Sequence, residues 1–154
     1  DTTFVGAGVV RGTVTGTGAT FAFIPGAETA LSFALAEQGS TLVVISSAST
    51  IGRVPIGGGA PVPLPALPTL GTITGIGCHL STCVVTQFGA LPPPEPTPVT
   101  RFYRLDLATG AFSLARTEPG RWHGPVLLPS GGDVAVQSST GPTRDLYLFK
   151  GLIP

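Results

Sequence analysis

The stretch "RFYRLDLATGAFSLA" at positions 101–115 has the clearest strand pattern in the chain. Side chains alternate along its first half, where Tyr103, Leu105 and Leu107 form the apolar set, and a period of two residues predicts a half-buried β-strand. The segment "LATG" then provides a turn, and "AFSLA" starts a second strand at once. The stretch therefore predicts two antiparallel strands joined by a tight connection.

Short runs rich in β-branched and apolar residues recur along the 154-residue chain. Its 22 Gly and 16 Pro separate these runs in the way that tight turns separate strands, so the sequence predicts an all-β fold. The segment "AETALSFALAEQG" (27–39) also contains good helix formers, and a helix there is the alternative. The predicted strands are "FVGAGVV" (4–10), "TFAFI" (20–24), "TLVVIS" (41–46), "TCVVTQF" (82–88), "PVLLP" (125–129), "DVAVQSS" (133–139) and "DLYLFK" (145–150).

Three segments share a pattern of strand, short turn and strand. If Leu42, Cys83 and Val134 are equivalent, the spacings are 83 − 42 = 41 and 134 − 83 = 51 residues, and the proline-rich "ALPPPEPTPV" (90–99) accounts for the longer one. A unit of about 40 residues, built from a hairpin and one or two further antiparallel strands, is typical of one blade of a β-propeller. The segments are "LSFALAEQGSTLVVISS" (31–47), "ITGIGCHLSTCVVTQF" (73–88) and "HGPVLLPSGGDVAVQSS" (123–139).

The repeats predict about three blade-like units and a different N-terminal region. Residues 1–28 are expected to form strands that close a ring or remain from a preceding blade, and residues 29–154 to form the blades, with a proline-rich excursion at 90–99. Propellers have about four to eight blades, so three units cannot close a ring. We therefore expect further blades in a larger polypeptide or a second copy. The predicted units are 31–64, 73–115 and 123–149.

Three segments resemble a known family: "RVPIGGGAPVPL" (53–64), "FYRLDLATGAFSLA" (102–115) and "GRWHGPVLLPSGGDVAVQSSTGPTRDLYLF" (120–149). They resemble the propeller repeats of TolB-type bacterial proteins, in which an outer strand ending in Asp-Leu-x-Thr-Gly precedes a Trp-x-x-Pro-x-x-Ser-Pro-x-Gly hairpin. The resemblance is best over residues 100–150 and implies a β-propeller-like fold. Because TolB-like blades accompany peptidase and kinase domains, it also allows a larger enzyme.

The match to the hairpin motif is partial. Trp122, Pro125, Pro129, Ser130 and Gly131 lie near the expected positions. The order of Pro and Ser is swapped, and the Asp that often precedes the Gly is absent. The resemblance therefore indicates the fold more than the lineage.

The composition indicates apolar contact with a partner. Charged residues make up only 10% of the chain, against about 25% in average soluble domains, while hydrophobic residues make up 42%. The 8 basic and 8 acidic residues give a net charge of zero, which argues against a nucleic-acid partner. No apolar run approaches the ~20 residues that a transmembrane helix needs, so we expect no transmembrane helix. Peripheral membrane association stays open.

Cys78 and Cys83 are the only cysteines in the sequence and flank "HLST" (79–82). Two strands joined by a four-residue turn would bring their Cβ atoms close enough for a disulfide. The alternative is two small buried residues beside a turn, and a metal site is disfavoured because only His79 is nearby. A disulfide indicates an oxidising compartment, so it predicts a periplasmic or extracellular protein.

The N-terminus supports the same location. The sequence contains no Met and has no charged-then-apolar leader, so we expect Asp1 to be a processed terminus or the edge of a longer chain.

Arg121, Trp122 and His123 form the densest group of side chains able to contact a ligand or partner, with a cation, a large ring and an imidazole in succession. A Trp just before the inner strand of a blade usually packs between blades, so a structural role for Trp122 is the favoured interpretation and a ligand role the alternative.

Pro92, Pro93 and Pro94 are the second candidate contact, within "LPPPEPTPV" (91–99). This composition is typical of polyproline II, which serves as a stiff surface excursion or as a ligand for an aromatic groove. The excursion is the favoured interpretation. Loops on a rigid scaffold nevertheless carry function often.

The sequence offers little support for catalysis. It has two histidines and no G-x-S-x-G or H-E-x-x-H motif, and "IGGGAP" (56–61) lacks the Lys and the helix of a phosphate loop. We therefore predict no catalytic, metal or cofactor-binding residues and no cofactor.

The sequence predicts a non-enzymatic binding or scaffold module that acts through protein–protein contacts in an extracytoplasmic assembly. Its partner would be another protein or further blades of the same polypeptide. Two alternatives stay open. One is the propeller part of a larger, peptidase- or kinase-associated enzyme, and the other is a β-sandwich subunit of an extracellular assembly.

Overall fold

The computed structural model describes residues 8–16, 18–47, 50–68, 71–90, 97–138 and 145–153. In these ranges the chain forms thirteen β-strands and a single 3-10 turn at Glu37–Gly39. The all-β prediction is confirmed. The strands are β1 (Val10–Thr15), β2 (Gly18–Phe23), β3 (Ser32–Ala36), β4 (Thr41–Ser47), β5 (Thr50–Pro55), β6 (Val62–Pro63), β7 (Thr72–His79), β8 (Thr82–Ala90), β9 (Pro98–Asp106), β10 (Phe112–Pro119), β11 (Trp122–Leu127), β12 (Val134–Ser138) and β13 (Leu146–Phe149).

The strands form four antiparallel sheets, and within each sheet the strands pair in sequence order. β1 and β2 form a hairpin, and we call the larger sheets blade 1 (β3 to β6), blade 2 (β7 to β10) and blade 3 (β11 to β13). The blades lie close to the units predicted from the repeats. Of the strand predicted at 4–10, residues 4–7 lie outside the described residues, and Val10 begins β1.

The segment with good helix formers is a strand. β3 pairs with β4 from Ser32↔Ile45 to Ala36↔Thr41. Along β3, Ala34 is buried against blade 2, and the residues on either side of it are more exposed. The helix alternative is wrong, because a half-buried position beside another sheet outweighs intrinsic helix propensity.

β9, the strand that begins the opening stretch, is buried on both faces. Tyr103 and Leu105 pack between blades 1 and 2, whereas Phe102 packs between blades 2 and 3. All three side chains are at most 1% exposed. The expectation of a half-buried strand is wrong, because blade 2 lies in the middle of the row and has a neighbour on each face.

Three hydrophobic clusters hold the sheets together. The first lies between blades 1 and 2, the second between blades 2 and 3, and the third between blade 1 and the segment that surrounds the hairpin. Each interface is therefore a layer of interdigitated apolar side chains. Representative members are Val43, Ile51 and Val85 in the first cluster, Val84, Leu127 and Val136 in the second, and Val9, Ile24 and Val44 in the third.

The first strands of blades 2 and 3 approach each other very closely. A Cβ atom built on Gly77 would lie 2.0 Å from the carbonyl oxygen of Pro125, and one built on Gly75 would lie 2.7 Å from Pro125 Cδ. Gly75 also lies beside Gly124, and Gly77 lies beside Val126, so β7 and β11 run in the same direction. Parallel first strands in close contact are the arrangement expected at the inner edge of propeller blades.

Replacement of Gly77 by Ala tests this contact. Because the added methyl group would meet the Pro125 carbonyl, we expect Gly77→Ala to lower the free energy of unfolding by at least about 1 to 3 kcal/mol. Denaturant unfolding measures the change. Gly57→Ala is the matched control, since a Cβ built there has no neighbour within 4 Å and its effect should stay below about 0.5 kcal/mol. Equal losses in the two variants would contradict the close approach.

Candidate functional site

The blades place their connections at two opposite ends. The turns that follow β3, β7 and β11 lie at one end, which we call the turn end. This placement is supported by a 2.7 Å hydrogen bond from the Glu37 N–H, just after β3, to the carbonyl oxygen of Leu80, just after β7. Because the sheets are antiparallel meanders, the start of β11, the end of β8 and the start of β9 lie at the other end. We call it the Trp122 end.

The backbone of Trp122 is bonded to blade 2. Its N–H donates to Thr100 Oγ1 at 3.0 Å, and its carbonyl oxygen accepts from Thr74 Oγ1 at 2.9 Å. The indole Nε1–H donates to the carbonyl oxygen of Pro119 at 2.9 Å. The polar groups of Trp122 are therefore used in contacts within the protein.

The ring of Trp122 packs against aromatic residues of β13. It makes edge-to-face contacts with Tyr147 and Phe149, with centroid distances of 4.9 and 5.4 Å. Phe149 continues the layer into blade 2, where it contacts Phe102 at 5.5 Å and lies beneath the guanidinium of Arg116 at 5.0 Å. These contacts favour the structural interpretation of Trp122.

The three residues predicted as one cluster do not share one surface. Arg121 is exposed, and its guanidinium lies 5.5 Å from the centre of the Phe88 ring. His123 follows Trp122 in β11 and pairs with Gln137. Since successive strand residues point to opposite faces, His123 faces away from blade 2, whereas Trp122 faces towards it.

The proline-rich connection starts and ends at the Trp122 end. Pro92, Pro93 and Pro94 lie outside the described residues. The described pair Ala90↔Pro98 bounds their connection. This pair is close in sequence to Phe88, the partner of Arg121, so Arg121 and the base of the connection share one end of the molecule. The contact role of the three prolines stays a prediction.

Cys78 and Cys83 form a disulfide, with Cα atoms 4.0 Å apart. They lie directly opposite each other on β7 and β8, and His79 and Thr82 form the next pair. The turn consists of residues 80–81 and is shorter than the four residues expected, because the flanking pair belongs to the ladder. The Cys83 side chain is buried between blades 1 and 2.

The disulfide-linked turn borders an open cavity of about 420 Å³ at the turn end. Among the described residues, the non-glycine positions with positive φ are Glu37, Gln38 and Leu80, at 48°, 58° and 53°, and all three line this cavity. The carbonyl oxygen of Ser81 accepts the N–H of Leu107 at 2.9 Å, which ties the turn to the end of β9. No pattern in the sequence indicated this cavity, since residues 37–38 suggested only helix propensity.

Two of the described carboxylates, those of Asp106 and Asp133, stabilise turns. Asp106 Oδ1 accepts the N–H groups of Ala108 at 2.8 Å and Thr109 at 3.2 Å. Asp133 Oδ1 accepts the N–H of Gly151 at 2.9 Å. These contacts account for acidic residues that are scattered singly along the sequence, because side-chain oxygens of Asp commonly satisfy turn amides.

Metal-binding clusters and membrane-spanning helices are both absent from the described ranges. No group of three or more His, Cys, Asp or Glu side chains that could hold a metal ion occurs there. Nor do these ranges contain a helix of the length and apolarity that a membrane crossing requires.

Large apolar side chains are exposed on the outward faces of blades 1 and 3. On blade 1, Phe33 and Leu35 are 49% and 51% exposed, and we call them the leading face. On blade 3, Val126, Leu146 and Leu148 are 56%, 78% and 50% exposed, and we call them the trailing face. The low charge content predicted apolar contact but not its position, because alternation along a strand does not reveal which face has a neighbour. These two faces are the main candidate functional surface.

The arrangement of the blades is similar to that of solved propeller proteins. Putative TolB from Agrobacterium tumefaciens matches with a TM-score of 0.60 and 14% identity, over 85% of this chain and 47% of that chain. The chain has the fold of a TolB-type propeller segment. TolB from Acinetobacter baumannii matches with a TM-score of 0.54 and 16% identity, over 78% of this chain and 29% of that chain. The tricorn protease matches with a TM-score of 0.52 and 16% identity, over 78% of this chain and 12% of that chain.

The predicted TolB-like β-propeller fold is therefore confirmed. The β-sandwich alternative is wrong, because the sheets form a row of blades rather than one pair of facing sheets. The chain spans less than half of each solved protein. No family model matches it, and no curated protein sequence matches it.

Replacement of Trp122 tests its structural role. We expect Trp122→Ala to lower the free energy of unfolding by about 3 kcal/mol. This value is near the lower end of the losses found when a large core side chain is truncated, because the Trp122 ring is only partly buried. Denaturant unfolding measures the loss. Leu114→Ala is the control, since Leu114 is 56% exposed on β10 and its removal should cost less than about 0.5 kcal/mol. An unchanged unfolding midpoint for Trp122→Ala would show that the ring is free to serve a ligand.

Proposed function

We propose that this chain is a non-enzymatic protein-binding module of β-propeller type, which acts through protein–protein contacts in an extracytoplasmic assembly. The observation that carries the proposal is the exposure of the leading and trailing faces. Apolar side chains that cluster on an exposed surface are typical of interaction sites. The partner is another protein or further blades of the same polypeptide.

The edge of blade 3 supports the same proposal. In the described part of the chain, β13 pairs with β12 on one side only. Its residues, "LYLF", carry no charge. Natural sheets protect exposed edges with charged residues, prolines or covering segments, and an uncharged edge favours pairing with another strand.

The trailing face has one polar component that suits a protein partner. His123, Gln137 and Leu146 form a cross-strand row on the side of blade 3 that faces away from blade 2. The neighbouring row consists of Val126, Ala135 and Leu148. An apolar surface bordered by groups able to form hydrogen bonds is the usual anatomy of a protein interface.

The disulfide supports an extracytoplasmic location. Cys78 and Cys83 join two adjacent strands of blade 2. Structural disulfides form and persist in oxidising compartments, such as the periplasm and the cell exterior.

The Trp122 end offers a second contact surface. Arg121 lies over Phe88 with much of its side chain exposed, and the connection that contains Pro92, Pro93 and Pro94 leaves from the same end. Exposed Arg and proline-rich segments are suited to peptide or protein contacts. We propose this end as an accessory surface beside the two apolar faces.

A second candidate function is the propeller part of a larger enzyme. The similarity to the tricorn protease, of which this chain covers 12%, favours it. The leading and trailing faces would then contact other parts of the same polypeptide. The chain itself would contribute binding rather than chemistry.

Site-specific photocrosslinking in intact cells tests the proposed function. A photoreactive residue is placed at Val126 in the natural polypeptide that contains this chain, and the products are identified by mass spectrometry. We expect crosslinks to protein, because the side chain at this position is 56% exposed on the trailing face. Crosslinks within one polypeptide that bears a catalytic domain would select the enzyme alternative.

The control is the same photoreactive residue at Ser113, an exposed position on β10 outside both faces. Alkylation of the same cells with a thiol reagent reports on the compartment, and we expect unmodified Cys78 and Cys83 until a reductant is added. If the photoreactive residue at position 126 crosslinks to protein no more often than the one at position 113, this result contradicts the binding role. Free thiols in cells would contradict the extracytoplasmic location.

A further inference from the structure

We infer that the open cavity at the turn end binds the lysine or arginine side chain of a protein partner. The cavity has a volume of about 420 Å³ and is lined by Glu37, Gln38, Ser40, Leu80 and Ser81. It lies at the end opposite the Trp122 end and includes no residue of the leading or trailing face. The inference therefore adds a separate site to the proposed function and does not rest on it.

Three of the lining residues have a backbone conformation that is unfavourable for a side chain. Glu37, Gln38 and Leu80 have φ angles of 48°, 58° and 53°. Tight turns usually place Gly or Asn at such positions, because the Cβ atom of other residues crowds the backbone there. Residues held in such conformations cluster at ligand sites, where the side chain is retained despite the strain. Three of them at one cavity therefore indicate a binding role.

Contacts within the protein hold the two turns of the cavity in place. The Glu37 N–H donates to the Leu80 carbonyl oxygen at 2.7 Å, which joins the turn of blade 1 to the turn of blade 2. The disulfide between Cys78 and Cys83 closes the hairpin that carries Leu80 and Ser81. A site that is fixed before binding loses less conformational entropy when a partner docks. The cavity is therefore preorganised for a ligand.

The Glu37 carboxylate gives the cavity its charge. Among the described lining residues, Glu37 alone is ionisable. Its Oε2 accepts a hydrogen bond from Thr41 Oγ1 at 2.6 Å, which orients the carboxylate without neutralising it. A carboxylate in this position favours a cationic ligand, because hydrogen bonds between oppositely charged groups are stronger than those between neutral groups.

The charge of Glu37 is not used in an ion pair with a described residue. Arg53 lines an adjoining hollow of about 180 Å³ together with Glu37, but its NH1 group donates to the Leu107 carbonyl oxygen at 2.8 Å. Within the described ranges, the ion pair is that of Arg116 with Glu118. The Glu37 carboxylate is therefore available to a cation from outside these ranges.

The other lining groups match the rest of a lysine or arginine side chain. Leu80 is 52% exposed and offers an apolar surface on which the methylene groups of such a side chain can pack. Gln38, Ser40 and Ser81 carry side-chain oxygens that can accept hydrogen bonds from an ammonium or guanidinium group. Sites for small molecules bury most of their ligand, whereas this cavity is open. A side chain presented by a larger partner is therefore the ligand that fits.

NMR titrations with two short peptides test the charge requirement. The isotope-labelled natural polypeptide that contains this chain is titrated with acetyl-Gly-Arg-Gly-amide and with acetyl-Gly-citrulline-Gly-amide, in which citrulline is the neutral isostere of arginine. We expect the arginine peptide to shift the backbone amide signals of Gln38, Gly39 and Ser81 until they saturate. The citrulline peptide should bind at least about tenfold more weakly, as for loss of a hydrogen bond to a charged group. Equal shifts with the two peptides would overturn the inference.

Glu37→Gln keeps the size of the side chain and removes its charge. We expect this variant to bind the arginine peptide at least about tenfold more weakly than the unmodified protein. Glu28→Gln is the matched control and should leave binding unchanged, because the Glu28 carboxylate lies outside the cavity, where it accepts the Gly26 N–H at 2.8 Å. An unchanged affinity of Glu37→Gln for the arginine peptide would also overturn the inference.

Leu80→Gly tests whether the strained side chain serves the site. Because Gly adopts positive φ without steric cost, we expect this variant to unfold at a higher denaturant concentration. It should nevertheless bind the arginine peptide more weakly, since the apolar surface beside Glu37 is lost. A Leu80→Gly variant with higher stability and full binding would count against the site. Crosslinking at position 126 is independent of these titrations, so the proposed function and this inference can fail separately.

Discussion

The structure depends on the close approach of the first strands of neighbouring blades. Between β7 and β11 the backbones are so close that a Cβ on Gly77 would lie 2.0 Å from the Pro125 carbonyl oxygen. Blades that radiate from a common axis are nearest at their inner strands, so the inner strands need small residues and the outer parts need larger ones. The core follows this requirement, with Ala34 and Ala36 at the inner strand of blade 1 and Tyr103 and Leu105 farther out in blade 2.

Hydrogen bonds between blades 2 and 3 hold the same two strands close together. A bulge at Thr74 interrupts the regular pairing of β7 with β8, and Thr74 Oγ1 reaches both Thr86 Oγ1 at 3.0 Å and the Trp122 carbonyl oxygen at 2.9 Å. Thr100 Oγ1 donates to the Gly120 carbonyl oxygen at 2.8 Å and accepts the Trp122 N–H. Partly buried backbone groups at the start of β11 are thereby satisfied by hydroxyls of blade 2, which links the position of Trp122 to the register of the blades.

Periodicity along the chain predicted the strands and blades but not their environments. The alternation after Arg101 located β9, yet it could not reveal that Phe102 meets blade 3 while Tyr103 meets blade 1, because burial on both faces depends on neighbours distant in sequence. Local propensity suggested a helix at 27–39, where packing against blade 2 selects a strand.

The five-residue separation of Cys78 and Cys83 was sufficient to anticipate their bond, since the partners lie within one hairpin. Adjacent positions in sequence, by contrast, suggested a single cluster for Trp122 and His123, which strand geometry places on opposite faces.

The propeller arrangement requires direct parallel contact between β7 and β11, and nuclear Overhauser spectroscopy can detect this contact. The close pairs are the Gly75 Hα with the Pro125 Hδ protons and the Gly77 Hα with the Val126 Hα. The structure predicts strong cross-peaks for both pairs. The Hα protons of Cys78 and Cys83 provide the reference within one sheet, since their Cα atoms are 4.0 Å apart. A spectrum that contains the reference cross-peak and lacks both cross-peaks between β7 and β11 would contradict the stacking of the blades.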